Sequence, residues 1–291
     1  MSKSENTKKV INAMNKLTKI SVLSVNELRI IVAIERLIAR IDYYKPLETK
    51  LIFKGGFVLL KAYNSLRFTR DIDALAVEIS KDQLIKDISE ALSVDLEDGI
   101  SFAPFTVKDL THGDYGGFRF IVPFQIGDLP KEEHKIKKLS CLHFDVAFDD
   151  KINRFVNSSL KELIPQEKPI SWSIYPIENI FAEKLQTLVS RESFNSRAKD
   201  LYDIVLISEQ IGELKKAIPF IQNIFKNRNT EIPKSFSNFF NNLDLSLLEK
   251  SWNSVTLLGM NMSFKECCVE LNKILKNIDS MMVPFVNTTK S

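Results

Sequence analysis

From Leu51 to about Asp150 the chain runs in short alternating segments, LIF, DIDALAVEI, FRFIVPFQI and CLHFDVAF, and after Pro165 and Pro169 it turns to helical spacing and keeps it. Runs rich in Ile, Val and Phe with a period of two are strands with one buried face, whereas apolar residues three and four apart mark helices. A chain that changes period in this way belongs to the α+β class: a sheet with flanking helices, followed by a helical C-terminal domain. We place the boundary near residues 160–170. The expected domains are 1–165 and 166–291, each within the usual size of about 50–250 residues.

Other elements follow from the same patterns. Residues 26–42, NELRIIVAIERLIARID, carry apolar side chains close to helical spacing, with Asn26 available as a cap. Further helices are expected near 57–65 and 81–93. Pro123 inside the third strand run argues for an edge strand or a bulge, because proline cannot donate to a ladder. The C-terminal half reads IENIFAEKLQTLVSR, then AKDLYDIVLISEQ, then a Phe-, Asn- and Lys-rich remainder, and its polar tail VNTTKS is expected to fray.

Charge and cysteine content exclude little but bound the setting. Forty basic and 37 acidic residues leave a net charge of +3, which permits nucleic acid without indicating it. Cys141 and the adjacent Cys267 and Cys268 form neither a disulfide framework nor the paired spacing of a zinc site, so a reducing cytoplasm is the simplest setting. The polar start MSKSENTKKV lacks the apolar core of a signal peptide, and no run reaches the ~18 apolar residues of a membrane span. A protein that is neither secreted nor membrane-spanning is expected.

The densest chemistry lies in KGGFVLLKAYNSLRFTRDID, residues 54–73. Gly55 and Gly56 fall at a strand-to-helix turn, where glycine lets a ligand approach the backbone and the first free N–H groups of a helix form a phosphate site. An isolated diglycine is more often a plain tight turn. Downstream, Arg67, Thr69, Asp71 and Asp73 occupy alternate positions, so one strand would project all four to one face. Two carboxylates about 7 Å apart along a strand suit divalent ions some 3.5–4 Å apart, whereas like charges on one face otherwise repel. Nucleotidyl transfer needs a third acid, and CLHFDVAF supplies Asp145 opposite an apolar face of Leu142, Phe144, Val146 and Phe148. His143 shares that face; a lone strand histidine is more often structural, and it is left out of the site.

In the helical half, Lys184 falls between Ile180 and Leu188 in the middle of the apolar stripe, and Arg191, seven residues on, falls on the same line. Two cations on an inward stripe suit a triphosphate. Asp200 and Asp203 share a flank of a helix that is apolar nearly all round, with Arg191, Arg197 and Lys184 as candidate partners. A structural network of ion pairs is as good a reading of these acids as catalysis.

A diglycine at a helix start, then R-x-T-x-D-x-D, then a distant strand aspartate resembles the nucleotidyltransferases of the DNA polymerase β superfamily. More narrowly, KGGFVLLKAYNSLRFTRDID and IENIFAEKLQTLVSRESFNSRAKDLYDIVLI are similar to the two signatures of the AbiEii/AbiGii-type toxins of type IV toxin–antitoxin systems, the group that includes the MenT toxins. The resemblance implies a nucleotidyltransferase-like mixed sheet and a prokaryotic cytoplasmic protein. It implies transfer of a nucleoside monophosphate from an NTP to a hydroxyl, with a tRNA 3′ end as acceptor and a neighbouring antitoxin as partner. Mg²⁺ or Mn²⁺ would sit on Asp71, Asp73 and Asp145. Gly55, Gly56, Arg67, Thr69, Lys184 and Arg191 would bind the nucleotide, and the family's helix lysine and R-D-x-x-D acid carry onto Lys184 and Asp200.

Two departures stand out. Phe57 follows the diglycine where a serine or threonine is common, and two residues separate Arg197 from Asp200 where the family has arginine and acid adjacent, which leaves Asp203 open as the alternative. The same catalytic residues would also serve a transferase acting on a protein or small molecule. A non-catalytic nucleotide-binding module would need the glycines and cations but not all three acids.

Overall fold

The computed structural model describes residues 3–112, 115–148, 154–258 and 262–286. Residues 287–291 of the polar tail lie outside these. The chain divides into two compact units, Met1–Asn64 with Phe68–Tyr175, and Ser65–Arg67 with Pro176–Ser291.

The first unit begins with helices α1 (Lys3–Leu17) and α2 (Val25–Tyr43). Then come strand β1 (Leu51–Lys54), α3 (Gly55–Ala62), β2 (Asp71–Ala76) and α4 (Lys81–Ser93). Strands β3 (Ile100–Phe102), β4 (Thr106–His112) and β5 (Tyr115–Ile126) follow, then a single helical turn α5 (Glu133–Ile136) and β6 (Ser140–Ala147). The unit closes with β7 (Val156–Ser159) and β8 (Ser171–Ile174). One mixed sheet runs β3-β5-β6-β2-β1-β8-β7, with β4 also on β5. β2 is parallel to β6 and antiparallel to β1. Because β8 pairs in parallel with β1, the sheet extends past the limit expected near residue 165.

One face of this sheet is an aromatic row. Phe120 meets Phe144 at 5.7 Å between ring centres, Phe144 meets Phe53 at 6.2 Å, and Phe53 meets Trp172 at 5.7 Å. All four are buried. Phe57 of α3 packs edge-on to Trp172, so the position after the diglycine serves the core. The alternation in CLHFDVAF is realised, with Leu142, Phe144 and Val146 buried and the intervening residues more open.

Three local expectations are corrected. The cap of α2 is Ser24, not Asn26: its hydroxyl accepts from Glu27 N while Glu27 Oε2 accepts from Ser24 N at 2.8 Å, a reciprocal pair that the Ser-x-x-Glu spacing permits. Ser24→Ala is therefore expected to cost about 1 kcal/mol in a urea unfolding curve. β5 is an interior strand, yet Pro123 sits where its outer partner changes from β4 to β3, a local gap in the ladder. Finally, β2 starts only at Asp71, so Arg67 and Thr69 are not on the strand with the two acids.

The helix over 26–42 also carries more charge inward than its apolar pattern suggested. Glu35, Arg36 and Arg40 are fully buried, Arg40 grips both oxygens of Asp98, Arg36 pairs with Glu162, and Lys61 pairs with Glu35.

The second unit contains helices α6 (Ile177–Arg191), α7 (Ala198–Ile211), α8 (Ile218–Asn227), α9 (Phe236–Asn241), α10 (Ser246–Trp252) and α11 (Phe264–Val286). α7 buries Leu201, Ile204, Val205 and Ile207 together with Asp200 and Asp203, as its all-round apolar pattern requires. Among the described residues no helix is long and apolar enough to cross a membrane.

Candidate active site

The diglycine has a specific geometric task. Gly55 begins α3 with φ +73°, a conformation that L side chains rarely adopt, and a Cβ built on it would lie 2.2 Å from Asp73 Oδ2. Lys54 and Asp73 are cross-strand partners in β1 and β2, which brings the Asp73 carboxylate against the glycine turn. The N-cap residue of α3, Lys54, makes no side-chain cap hydrogen bond, and the backbone N–H groups of the first turn point out of the helix start.

Register then collects the acids. Across the parallel pair β2–β6, Asp73 stands opposite Asp145 and Asp71 opposite His143. His143 Nδ1 comes within 3.3 Å of Asp71 Oδ1, so His143, left out of the expected site, stands beside one of its acids. From the other side of β6, Arg119 of β5 faces Asp145 and grips it with two hydrogen bonds of 2.7 Å, from Nε to Oδ1 and from Nη2 to Oδ2. The hydrogen bonding to Asp145 raises the pKa of the Arg119 guanidinium above its ordinary value, and the charges of Asp145, Asp71 and Asp73 add to it. The alternation of FRFIVPF puts Arg119 opposite the side of the buried Phe120 and Val122, but nothing in the strand's own sequence names its partner.

Hard carboxylate oxygens on adjacent strands are the donors that Mg²⁺ and Mn²⁺ favour. The donor set fits such an ion in chemistry. Of these acids Asp145 is held by Arg119, and Asp73 lies against the Gly55 turn. Among the described residues no three His, Cys, Asp or Glu side chains converge as a ready-made metal shell.

Apart from Thr69, the remaining residues of the expected site belong to the second unit. Lys184 is buried on α6 and bridges both candidate acids, at 2.8 Å to Asp200 Oδ1 and 2.6 Å to Asp203 Oδ2. Arg67 forks onto Asp203 through Nε and Nη2, both at 2.8 Å, and Arg197 Nε reaches Asp200 Oδ2 at 2.6 Å. Arg67 arrives there because residues 65–67 pair with the 257–258 segment, where Leu258 N donates to Leu66 O. Burial alone would raise the Asp203 carboxyl, but the charges of Arg67 and Lys184 outweigh it and hold it below the usual range. Asp200 is lowered in the same way, with burial opposed by Lys184 and Arg197.

Other expected residues fall differently. Thr69 is buried, and its hydroxyl donates to Asp71 O at 3.3 Å. Arg191 is exposed, not inward: it is the last residue of α6, and the stripe read from a helical wheel does not register where the helix stops. On the surface, Lys135 and Lys137 pair with Glu132 and Glu133.

A family model described as "Nucleotidyl transferase AbiEii toxin, Type IV TA system" matches residues 36–257, well over half of the chain. No curated protein matches it. Among solved structures, JHP933 from Helicobacter pylori is similar with a TM-score of 0.55 and 18% identity, over 91% of this chain and 97% of that one. A second H. pylori protein, proposed to be a nucleotidyltransferase, gives a TM-score of 0.54 and 17% identity, over 90% and 98%. At such identities the likeness concerns the fold.

Proposed function

Because the chain belongs to the AbiEii nucleotidyltransferase toxin family of type IV toxin–antitoxin systems, we propose that it transfers a nucleoside monophosphate from an NTP to the 3′ end of tRNA and so blocks translation. The observation that carries this reading is the register that sets Asp73 beside Asp145, two residues from Asp71, with Asp73 against the Gly55 turn. A divalent ion, Mg²⁺ or Mn²⁺, on Asp71, Asp73 and Asp145 would neutralise the triphosphate and the charge that develops on the transferring phosphorus.

The chain's own residues supply the rest. Backbone N–H groups at Gly55 and Gly56 hold the β- and γ-phosphates at the start of α3, since Phe57 brings no hydroxyl. An Asp145 carboxylate oxygen orients the acceptor hydroxyl and accepts its proton as the hydroxyl oxygen bonds to the α-phosphorus and the bond to the β-phosphate breaks, releasing pyrophosphate. Lys184, held by Asp200 and Asp203, is the cation for the anionic substrate on this helix. Arg191 is a further exposed cation for phosphate. The partner that the family implies is an antitoxin protein.

The test is incubation with Mg²⁺, each labelled NTP in turn and total bacterial RNA, beside an Asp71→Ala/Asp73→Ala control. Label on tRNA-sized RNA with the wild type alone is expected. Label on a protein or a small molecule instead would remove tRNA as acceptor, and transfer to nothing would remove the transferase reading.

A further inference from the structure

Two arginine–aspartate pairs, Arg67–Asp203 and Arg119–Asp145, share the same fork of Nε and Nη2 on the two carboxylate oxygens but lie in very different surroundings. Arg67 and Asp203 are sealed, with side chains 6% and 0% exposed. Arg119 and Asp145 are open, at 32% and 19%, although their bonds are just as short. A sealed pair has no route for exchange, because separating it leaves two charges without water. An open pair can exchange its partner for another cation at little cost.

The acids explain why a cation is wanted at Arg119. Asp71, Asp73 and Asp145 lie on neighbouring strands, and like charges so placed repel. Arg119 stands in the field of all three and puts its fork on one. A guanidinium and a divalent ion compete for such a place: both need the carboxylate oxygens, and they repel each other.

We propose that Arg119 is the resting counter-ion of this acid cluster, holding Asp145 in place of a divalent ion, so that Asp71 and Asp73 take the ion first and Asp145 joins it only when the guanidinium lets go. The inference rests on the transferase reading for the identity of the site. It makes Arg119 a positioning residue, and it accounts for the acids sharing a face without forming a metal shell.

The test is Mn²⁺ binding by the full chain without nucleotide, read from the electron paramagnetic resonance signal of the free ion. Arg119→Gln is expected to bind Mn²⁺ at least about tenfold tighter than wild type, and adding Asp145→Asn should cancel the gain. Arg119→Lys, which keeps the charge but not the fork, should fall between. A merely structural role would leave affinity unchanged or weaken it, and either result overturns the inference. A second readout needs no variant: the Arg119 Nε–H resonance of the wild type should move as Mg²⁺ is added. A resonance that stays still while Mg²⁺ binds, or no binding by any of the proteins, also overturns it. Tighter binding by Arg119→Gln with no nucleotide transfer to any acceptor would keep the inference and sink the transferase reading.

Discussion

Asp203→Ala is expected to lower the free energy of unfolding by about 3–5 kcal/mol, seen as a lower urea midpoint at unchanged slope. Asp203 is fully buried and takes two bonds from Arg67 and one contact from Lys184. Its removal takes away the two Asp203 oxygens to which the buried Arg67 donates, and with them that tie between residues 65–67 and α7. Lys184 keeps Asp200, so the loss falls mainly on Arg67. The companion variant Arg67→Met/Asp203→Leu should recover much of the loss, because a buried pair replaced by apolar residues of similar volume is often neutral. A shift below about 1 kcal/mol for Asp203→Ala would show that the network is not what secures these helices.

The same cluster has a pH signature. The folded-state carboxyls of Asp203 and Asp200 are both held below their ordinary values. A depressed acid binds fewer protons folded than unfolded, so its contribution is complete above the ordinary value of about 3.9 and fades as pH falls below that toward the folded-state value. Stability of the wild type should therefore fall more steeply with acid than that of the Arg67→Met/Asp203→Leu variant.

Gly55→Ala is the second large effect, and it concerns activity. The new methyl would lie 2.2 Å from Asp73 Oδ2 at φ +73°, so the carboxylate must turn away and the backbone must take up strain. Backbone strain of that kind costs about 1–2 kcal/mol, which the fold can survive. Displacing Asp73 by about 1 Å should cost roughly 100-fold in kcat/KM for nucleotide transfer. Near wild-type transfer by a folded Gly55→Ala protein would mean that Asp73 does not work from the position it holds here. Circular dichroism on the same sample separates this from unfolding.

Much of the scaffold was legible because it is encoded locally. The limits of α4, the alternation that buries Leu142, Phe144 and Val146, and the inward stripe with Lys184 all depend on periods of 2 or 3.6 read within one segment. Where the local rule met a chain end or a competing local signal it failed, as at Arg191 on the last turn of α6 and at Asn26 beside the better cap Ser24. The strand expected to carry Arg67, Thr69, Asp71 and Asp73 failed for another reason. Alternation persists through residues 67–70 in the text, but Arg67 is pulled out of it by an acid 136 positions away.

By itself, then, the sequence determined the α+β class, the four strands β1, β2, β5 and β6 in their order, and the shared face of Asp71 and Asp73. Only the tertiary structure decided that Arg119 holds Asp145, that His143 stands beside Asp71, that Lys184 bridges Asp200 and Asp203, and that Gly55 makes room for Asp73. Periodicity follows from the backbone geometry of neighbouring residues and is written along the chain. Which residue faces which across a sheet or between helices follows from register and packing between segments far apart in the sequence, and no local pattern encodes it.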